Sequence, residues 1–169
     1  MPVTKTLTLY TINELDAVAK ETAIQNMLYD VEYFWMDENT DSFVEFGKWI
    51  GGSTDWSVGL GGHSWAKCAL DWYDWEYGGF DTVEWVKNNL PTKECPFTGY
   101  YMDEMILKPL RDFLADPDDR TLEELSFECA RAWVEAVIQD MEYQMSDEYL
   151  FEHAEANEYL FYEDGRRYN

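Results

Sequence analysis

Thr121-Leu122-Glu123-Glu124-Leu125-Ser126-Phe127-Glu128-Cys129-Ala130-Arg131-Ala132-Trp133-Val134-Glu135-Ala136-Val137-Ile138-Gln139-Asp140-Met141-Glu142-Tyr143-Gln144-Met145 carries the clearest period in the chain. Leu122, Leu125, Cys129, Trp133, Ala136 and Val137 form one apolar stripe at helical spacing, and Phe127, Ala130, Val134, Ile138, Met141 and Met145 form a second beside it. Glu124, Glu128, Arg131, Glu135 and Glu142 share the remaining face. The spacing predicts one long helix over 122–145, buried on two sides and acidic on the third. Thr121 and Glu124 have capping-box spacing, and acids in the first turn suit the helix dipole.

Outward from this helix the pattern alternates in type. Ser146-Asp147-Glu148 caps a last short helix, and 158–162 reads as a strand entering the turn Glu163-Asp164-Gly165-Arg166. On the other side, 116–120 is a loop. Residues 102–114 are helical, with Pro109 expected to begin or bend the helix. Residues 92–101 are irregular, and 80–90 form a helix stopped at Pro91. A hairpin is expected in the middle, with Trp56, Val58 and Leu60 on one strand, Ala66, Cys68, Leu70 and Trp72 on the next, and Gly61-Gly62-His63 between. Phe43, Phe46 and Ile50 predict a helix ended by Gly51-Gly52, after a polar break at Asp37-Glu38-Asn39. Ile24, Met27, Leu28, Val31 and Trp35 predict a helix over 17–35, with Thr11 to Glu14 or Asp16 as its start. Residues 3–10 alternate as a strand. The fold expected is α+β in a single domain over 1–169. A small antiparallel sheet is packed by several helices, the sheet built from the middle hairpin with the two terminal strands as candidates to join it.

The chain has 169 residues and a formal net charge of −23, yet it is 46% hydrophobic and 17% aromatic. That apolar content excludes a disordered acidic tail and mounts the charge on a folded body. Residues 101–169 are the most acidic part, with 6 basic against 19 acidic residues. Such a field repels nucleic acid and anionic membranes and speeds encounter with basic proteins. Solubility or halophilic adaptation is the plainer explanation of the charge. Cys68, Cys95 and Cys129 are an odd, sparse set that fits a reducing compartment and no zinc spacing. No stretch has the ~20 apolar residues of a membrane helix. The opening Met1-Pro2-Val3-Thr4-Lys5 lacks a signal-peptide core, so the expected location is the cytoplasm.

Asp71 with Asp74, or Asp116 with Asp118 and Asp119, supplies carboxylates for a metal-assisted hydrolase, against the simpler reading of solvated loops. His63 beside Ser64 sits in a Gly-rich turn with no oriented base, and Gly59-Leu60-Gly61-Gly62 lacks the Lys-Ser/Thr of a phosphate loop. His153 with Glu152 and Glu155 has no identifiable second ligand element. No cofactor or metal is expected. The aromatics say more: Trp56, Trp65, Trp72, Trp75 and Trp85 crowd the middle third, and rings left outside among acids make good interface anchors. The expected partner-binding surface is therefore Glu124, Glu128, Glu135, Glu142, Asp147, Glu148, Glu152 and Glu155, with Trp65, Asp71, Asp74 and Trp75. Direct nucleic-acid binding is disfavoured, because the basic groove it needs is missing.

Two stretches resemble a known family. Leu9 to Ile24, with its Tyr10, Glu14-Leu15 and Ala19-Lys20-Glu21-Thr22-Ala23-Ile24, and Ser146 to Arg166, with Asn157-Glu158-Tyr159 and Phe161-Tyr162-Glu163-Asp164-Gly165, resemble the two ends of a family of small acidic bacteriophage proteins. That family is often labelled an antitoxin of a toxin–antitoxin stability system. Its middle usually carries a Ser-Gly-Phe-x-x-Gln-Gly-Asp-Gly-type hairpin, where this chain has Gly59-Leu60-Gly61-Gly62-His63-Ser64. The resemblance implies a phage or prophage accessory gene expressed in a bacterial cytoplasm. The function expected is a non-enzymatic, phage-encoded inhibitor that docks its acidic surface on a basic, nucleic-acid-binding host defence protein. This is nucleic-acid mimicry of the anti-CRISPR or anti-restriction type. An antitoxin masking a toxin is the alternative, ahead of a carboxylate-metal hydrolase and a virion component.

Overall fold

The computed structural model describes residues 6–71 and 81–168, over which β1 (Tyr10–Thr11), α1 (Ala17–Asp30), α2 (Met36–Ile50), β2 (Gly52–Ser57), β3 (Trp65–Leu70), α3 (Thr82–Asn89), α4 (Met102–Ala115), α5 (Leu122–Gln144), α6 (Asp147–Ala156) and β4 (Leu160–Phe161) follow one another. The fold is α+β. The chain forms two compact units, one from residues 1–33 and 141–169, the other from 34–140, and the division runs through α5.

In the first unit the ends of the chain meet. β1 pairs antiparallel with β4, with Tyr10 opposite Phe161 and Thr11 opposite Leu160, and α1 packs on α6. Thr11 donates its backbone N–H and its hydroxyl to Glu14, as its spacing predicts, and these bonds hold the Glu14 carboxyl below its usual range. Asp16 then caps α1 by accepting from the Ala19 N–H. Ile12, Leu15, Ala19, Ala23, Met27, Leu150, Ala154 and Phe161 are buried together as the core. Gly165 sits at φ +85°, and a Cβ there would lie 2.1 Å from the Ala19 carbonyl oxygen. The turn therefore rests directly on the backbone of α1. Gly165→Ala is expected to destabilise the protein by roughly 2–4 kcal/mol, from forced overpacking and left-handed strain together. Thermal unfolding monitored by circular dichroism checks this, and an unchanged midpoint would contradict it.

The sheet differs from expectation. The terminal strands pair with each other in a sheet of their own, separate from the β2–β3 hairpin. Of the strand expected over 3–10, residues 6–9 take no regular form and Tyr10 lies in β1, while 3–5 lie outside the described residues. The helix expected over 17–35 stops at Asp30, where Val31 turns extended. Asp37 and Glu38 are not a break: they occupy the first turn of α2, where the helix dipole favours acids.

The second unit builds its core from α2, the hairpin, α4 and the first part of α5. Gly51 takes the left-handed conformation (φ +74°) and donates to the carbonyls of Gly47 and Lys48, closing α2. β2 and β3 pair from Gly52–Leu70 to Ser57–Trp65. Thr54, Trp56, Ala66, Cys68 and Leu70 lie on the covered side of the hairpin, while Ser53, Asp55, Lys67 and Trp65 lie on the outer one. α5 buries Leu122, Leu125, Cys129, Ala130, Trp133, Val134 and Val137, so both predicted stripes face inward; Phe127, at the edge of the second, is exposed. Ser126 donates to the Cys68 carbonyl, tying α5 to β3. Pro109 neither begins nor ends α4: the helix runs through it, because Ile106, Leu107, Leu110 and Phe113 are all fully buried and their packing outweighs the lost backbone bond.

Candidate functional site

The acids predicted to bind a partner have several fates. Glu124 is used by its own helix, accepting from the backbone and hydroxyl of Thr121, which holds its carboxyl low. Glu128 is half-buried and pairs with Arg120 at 2.6 Å, and Glu135 faces Arg131 at 3.9 Å. Glu128 and Glu135, with Arg120, Arg131, Asp112 and Pro109, line a groove in which both signs of charge alternate. The predicted acidic face of α5 is thus partly neutralised, because Arg120 and Arg131 fall within it. Asp118 is engaged as well, both of its oxygens lying 2.9 Å from the Arg120 Nε.

In the first unit the acids stand otherwise. Glu142, Asp147, Glu148, Glu152 and Glu155 are exposed. Glu148, Glu152 and Glu155 recur at i, i+4, i+7 on α6, so they share one face. Glu155 accepts from the Asn13 amide at 2.7 Å. The described cations of this unit lie over rings: Lys20 over Phe151 at 5.5 Å, Arg167 over Tyr159 at 3.6 Å, and Arg166 over Tyr162 with its Nε 2.8 Å from Asp164. Among the described residues no ion pair reaches Glu142, Asp147, Glu148 or Glu152. Among the described residues this array is uncompensated.

The predicted aromatic anchors divide likewise. Trp65 stands on the outer face of the hairpin, 38% exposed, with Lys67 5.8 Å from its ring and the Lys67–Asp55 ion pair beside it. Asp71 is exposed and accepts from Ser53. Asp74 and Trp75 lie outside the described residues. Trp56 is no anchor, since its ring packs edge-on against Phe43 and Trp133 in the core. Trp85 packs against Trp49.

A second exposed aromatic group is one the sequence pattern concealed. Trp35 stacks with Tyr100 at 6.2 Å and 16° between planes, and Tyr100 meets Tyr101 edge-on at 4.6 Å. Trp35 and Tyr101 are 44% and 41% exposed, with Met105 one turn beyond Tyr101 also exposed. Trp35 precedes α2 and Tyr101 precedes α4, and neither side chain makes a cap hydrogen bond. Burial first, then Tyr101, then the Asp140 and Glu38 carboxylates push the Tyr100 phenol well above its ordinary range. The rings are held in place from beneath. Asp103, fully buried, accepts from the backbone of Phe97, Thr98 and Gly99 and from the Thr98 hydroxyl, fixing the loop that carries Tyr100 and Tyr101. The Trp133 indole donates to the Asn39 carbonyl at 2.8 Å, fixing the first turn of α2.

His63 is exposed in its turn, where Ser64 bonds the backbone of Gly59 instead of the ring. His153 bonds Tyr159 and Asn157. Cys68 and Cys129 are buried; burial, aided by Asp71, pushes the Cys68 thiol up to about 12, and burial raises Cys129 well above its ordinary value. Both are inert as nucleophiles at neutral pH. Among the described residues no group of three or more His, Cys, Asp or Glu side chains could hold a metal ion, and no helix is long and apolar enough to cross a membrane. Compared with family models, curated proteins and solved structures, the chain matches none.

Proposed function

We propose that the protein is a non-catalytic inhibitor, encoded by a phage, that occupies the basic surface of a nucleic-acid-binding host defence protein in the bacterial cytoplasm. The observation that carries this reading is the bare carboxylate face of α6. Like charges at i, i+4 spacing destabilise a helix by a few tenths of a kcal/mol per pair, and here the nearby cations are turned onto aromatic rings instead of relieving them. Beyond solubility, a fold that keeps such an array gains from it when a cationic surface arrives. The partner is a protein that otherwise grips phosphates, and the inhibitor competes for those same Lys and Arg side chains.

A second reading, an antitoxin that masks a toxin, draws support from the terminal stretches that resemble the acidic phage family. Far apart in sequence, they fold into one unit through β1–β4 and the seat of Gly165 on Ala19.

The test uses the whole chain as bait in host lysate, with the captured protein then purified. Under mimicry the affinity falls steeply and linearly in log–log form as salt rises, duplex DNA or RNA competes, and Glu148→Lys with Glu152→Lys weakens binding about tenfold or more. Binding that ignores both salt and nucleic acid overturns mimicry, and rescue of growth against a neighbouring toxin gene under those conditions favours the antitoxin.

A further inference from the structure

We infer that the Trp35–Tyr100–Tyr101 patch is a receptor for an arginine side chain of the basic partner, a specificity element that the α6 carboxylates alone do not supply. This rests on the proposed binding function and deepens it.

Both α2 and α4 forgo a capping side chain. The residue before a helix is best filled by Ser, Thr, Asp or Asn, whose side chain satisfies an orphan N–H, and its loss costs about 1 kcal/mol. α2 and α4, which pack against each other, both place an aromatic there instead, and neither makes a cap bond. Elsewhere the chain caps well, with Asp16, Asp81 and Ser146 each accepting from its helix. Two adjacent helices are left uncapped at the same place, and both residues are over 40% exposed.

The charge around the rings favours a cation. Glu38 lies one helical turn from Trp35, with Asp37 beside it, both exposed in the first turn of α2, where they offset the positive helix end. A cation approaching the rings meets π faces and carboxylates together, whereas a phosphate or an acidic peptide meets like charge. Trp is the best ring for such contacts. Arginine is favoured over lysine because the Trp35 and Tyr100 rings are within 16° of parallel. Their faces suit a planar, weakly hydrated guanidinium that stacks while its N–H groups reach Glu38; an ammonium is a point charge without a stacking plane.

The test measures binding of a short oligo-arginine peptide and an oligo-lysine peptide of equal length and charge to the whole protein, by calorimetry at fixed salt. The arginine peptide is expected to bind about 5–30-fold more tightly. Tyr101→Ala, Trp35→Ala and the milder Glu38→Gln are each expected to shrink that ratio toward one while lysine binding stays within about twofold. The ratio in the unaltered protein needs no variant, so a misfolded variant leaves the inference decidable. Equal binding of the two peptides, or a ratio untouched by all three substitutions, overturns the arginine receptor and leaves the acidic docking surface standing. Binding of neither peptide overturns the docking reading itself. Tighter binding of a single-stranded oligonucleotide than of either peptide overturns both.

Discussion

Asp103→Ala is expected to destabilise the protein by about 3–5 kcal/mol, roughly 1 kcal/mol for each of the part-buried donors left without their charged acceptor. The carboxylate has no exposed surface, and its two oxygens take four hydrogen bonds, three from the successive N–H groups of Phe97, Thr98 and Gly99 and one from the Thr98 hydroxyl. Thr98 in turn bonds Ser42 on α2, so the loss propagates between helices. Asp103→Asn keeps an oxygen for the backbone donors but gives up the charge assistance, and about 1–2 kcal/mol is expected. Denaturant unfolding of the three proteins checks the order. An alanine variant as stable as the parent would mean that this loop is not held by Asp103. The same variant should lose the arginine preference, because Tyr100 and Tyr101 follow the loop directly.

Trp133→Ala should cost a comparable 3–5 kcal/mol, here by opening a cavity. Trp133 is fully buried, stacked on Phe43 at 4.6 Å and edge-on to Trp56 at 6.0 Å, and it is the largest of the sealed side chains. Trp133→Phe retains a ring against Phe43 but removes the donor to the Asn39 carbonyl, and about 1–2 kcal/mol is expected. Equilibrium unfolding by urea distinguishes the two, with a midpoint shift at unchanged slope as the sign that stability alone has moved. Either loss is large beside a total of roughly 5–15 kcal/mol for a natural domain. An unshifted midpoint in the alanine variant would contradict the packing described for α2, the hairpin and α5.

The helices were legible where a period was long or a cap explicit. The stripes of α5, the capping boxes at Thr11 and Thr121, the caps Asp16 and Ser146 and the stop at Gly51 all follow from spacing over fewer than eight residues at a time. The boundary near Trp35 was not legible. Trp35 continues the apolar spacing of Ile24, Met27, Leu28 and Val31, and Asp37-Glu38 reads equally as a break or as a first turn. Local pattern assigns the same letters to both.

The acids divide on the same line. Their number, their excess toward the C-terminus and the face shared by Glu148, Glu152 and Glu155 are properties of the sequence, since charge and helical spacing are additive along the chain. Which of them remain unneutralised is decided by folding. Arg120 reaches Glu128 and Asp118, while Arg166 and Arg167 turn back over tyrosines, and no spacing rule says where a long cationic side chain will lie. The aromatic patch belongs wholly to the tertiary structure. Trp35 and Tyr100 are 65 residues apart, and only the packing of α2 on α4 brings their rings together. Sequence determined how much charge and ring the protein carries; long-range packing decided which of it faces outward, because exposure depends on what arrives on top of a side chain from far along the chain.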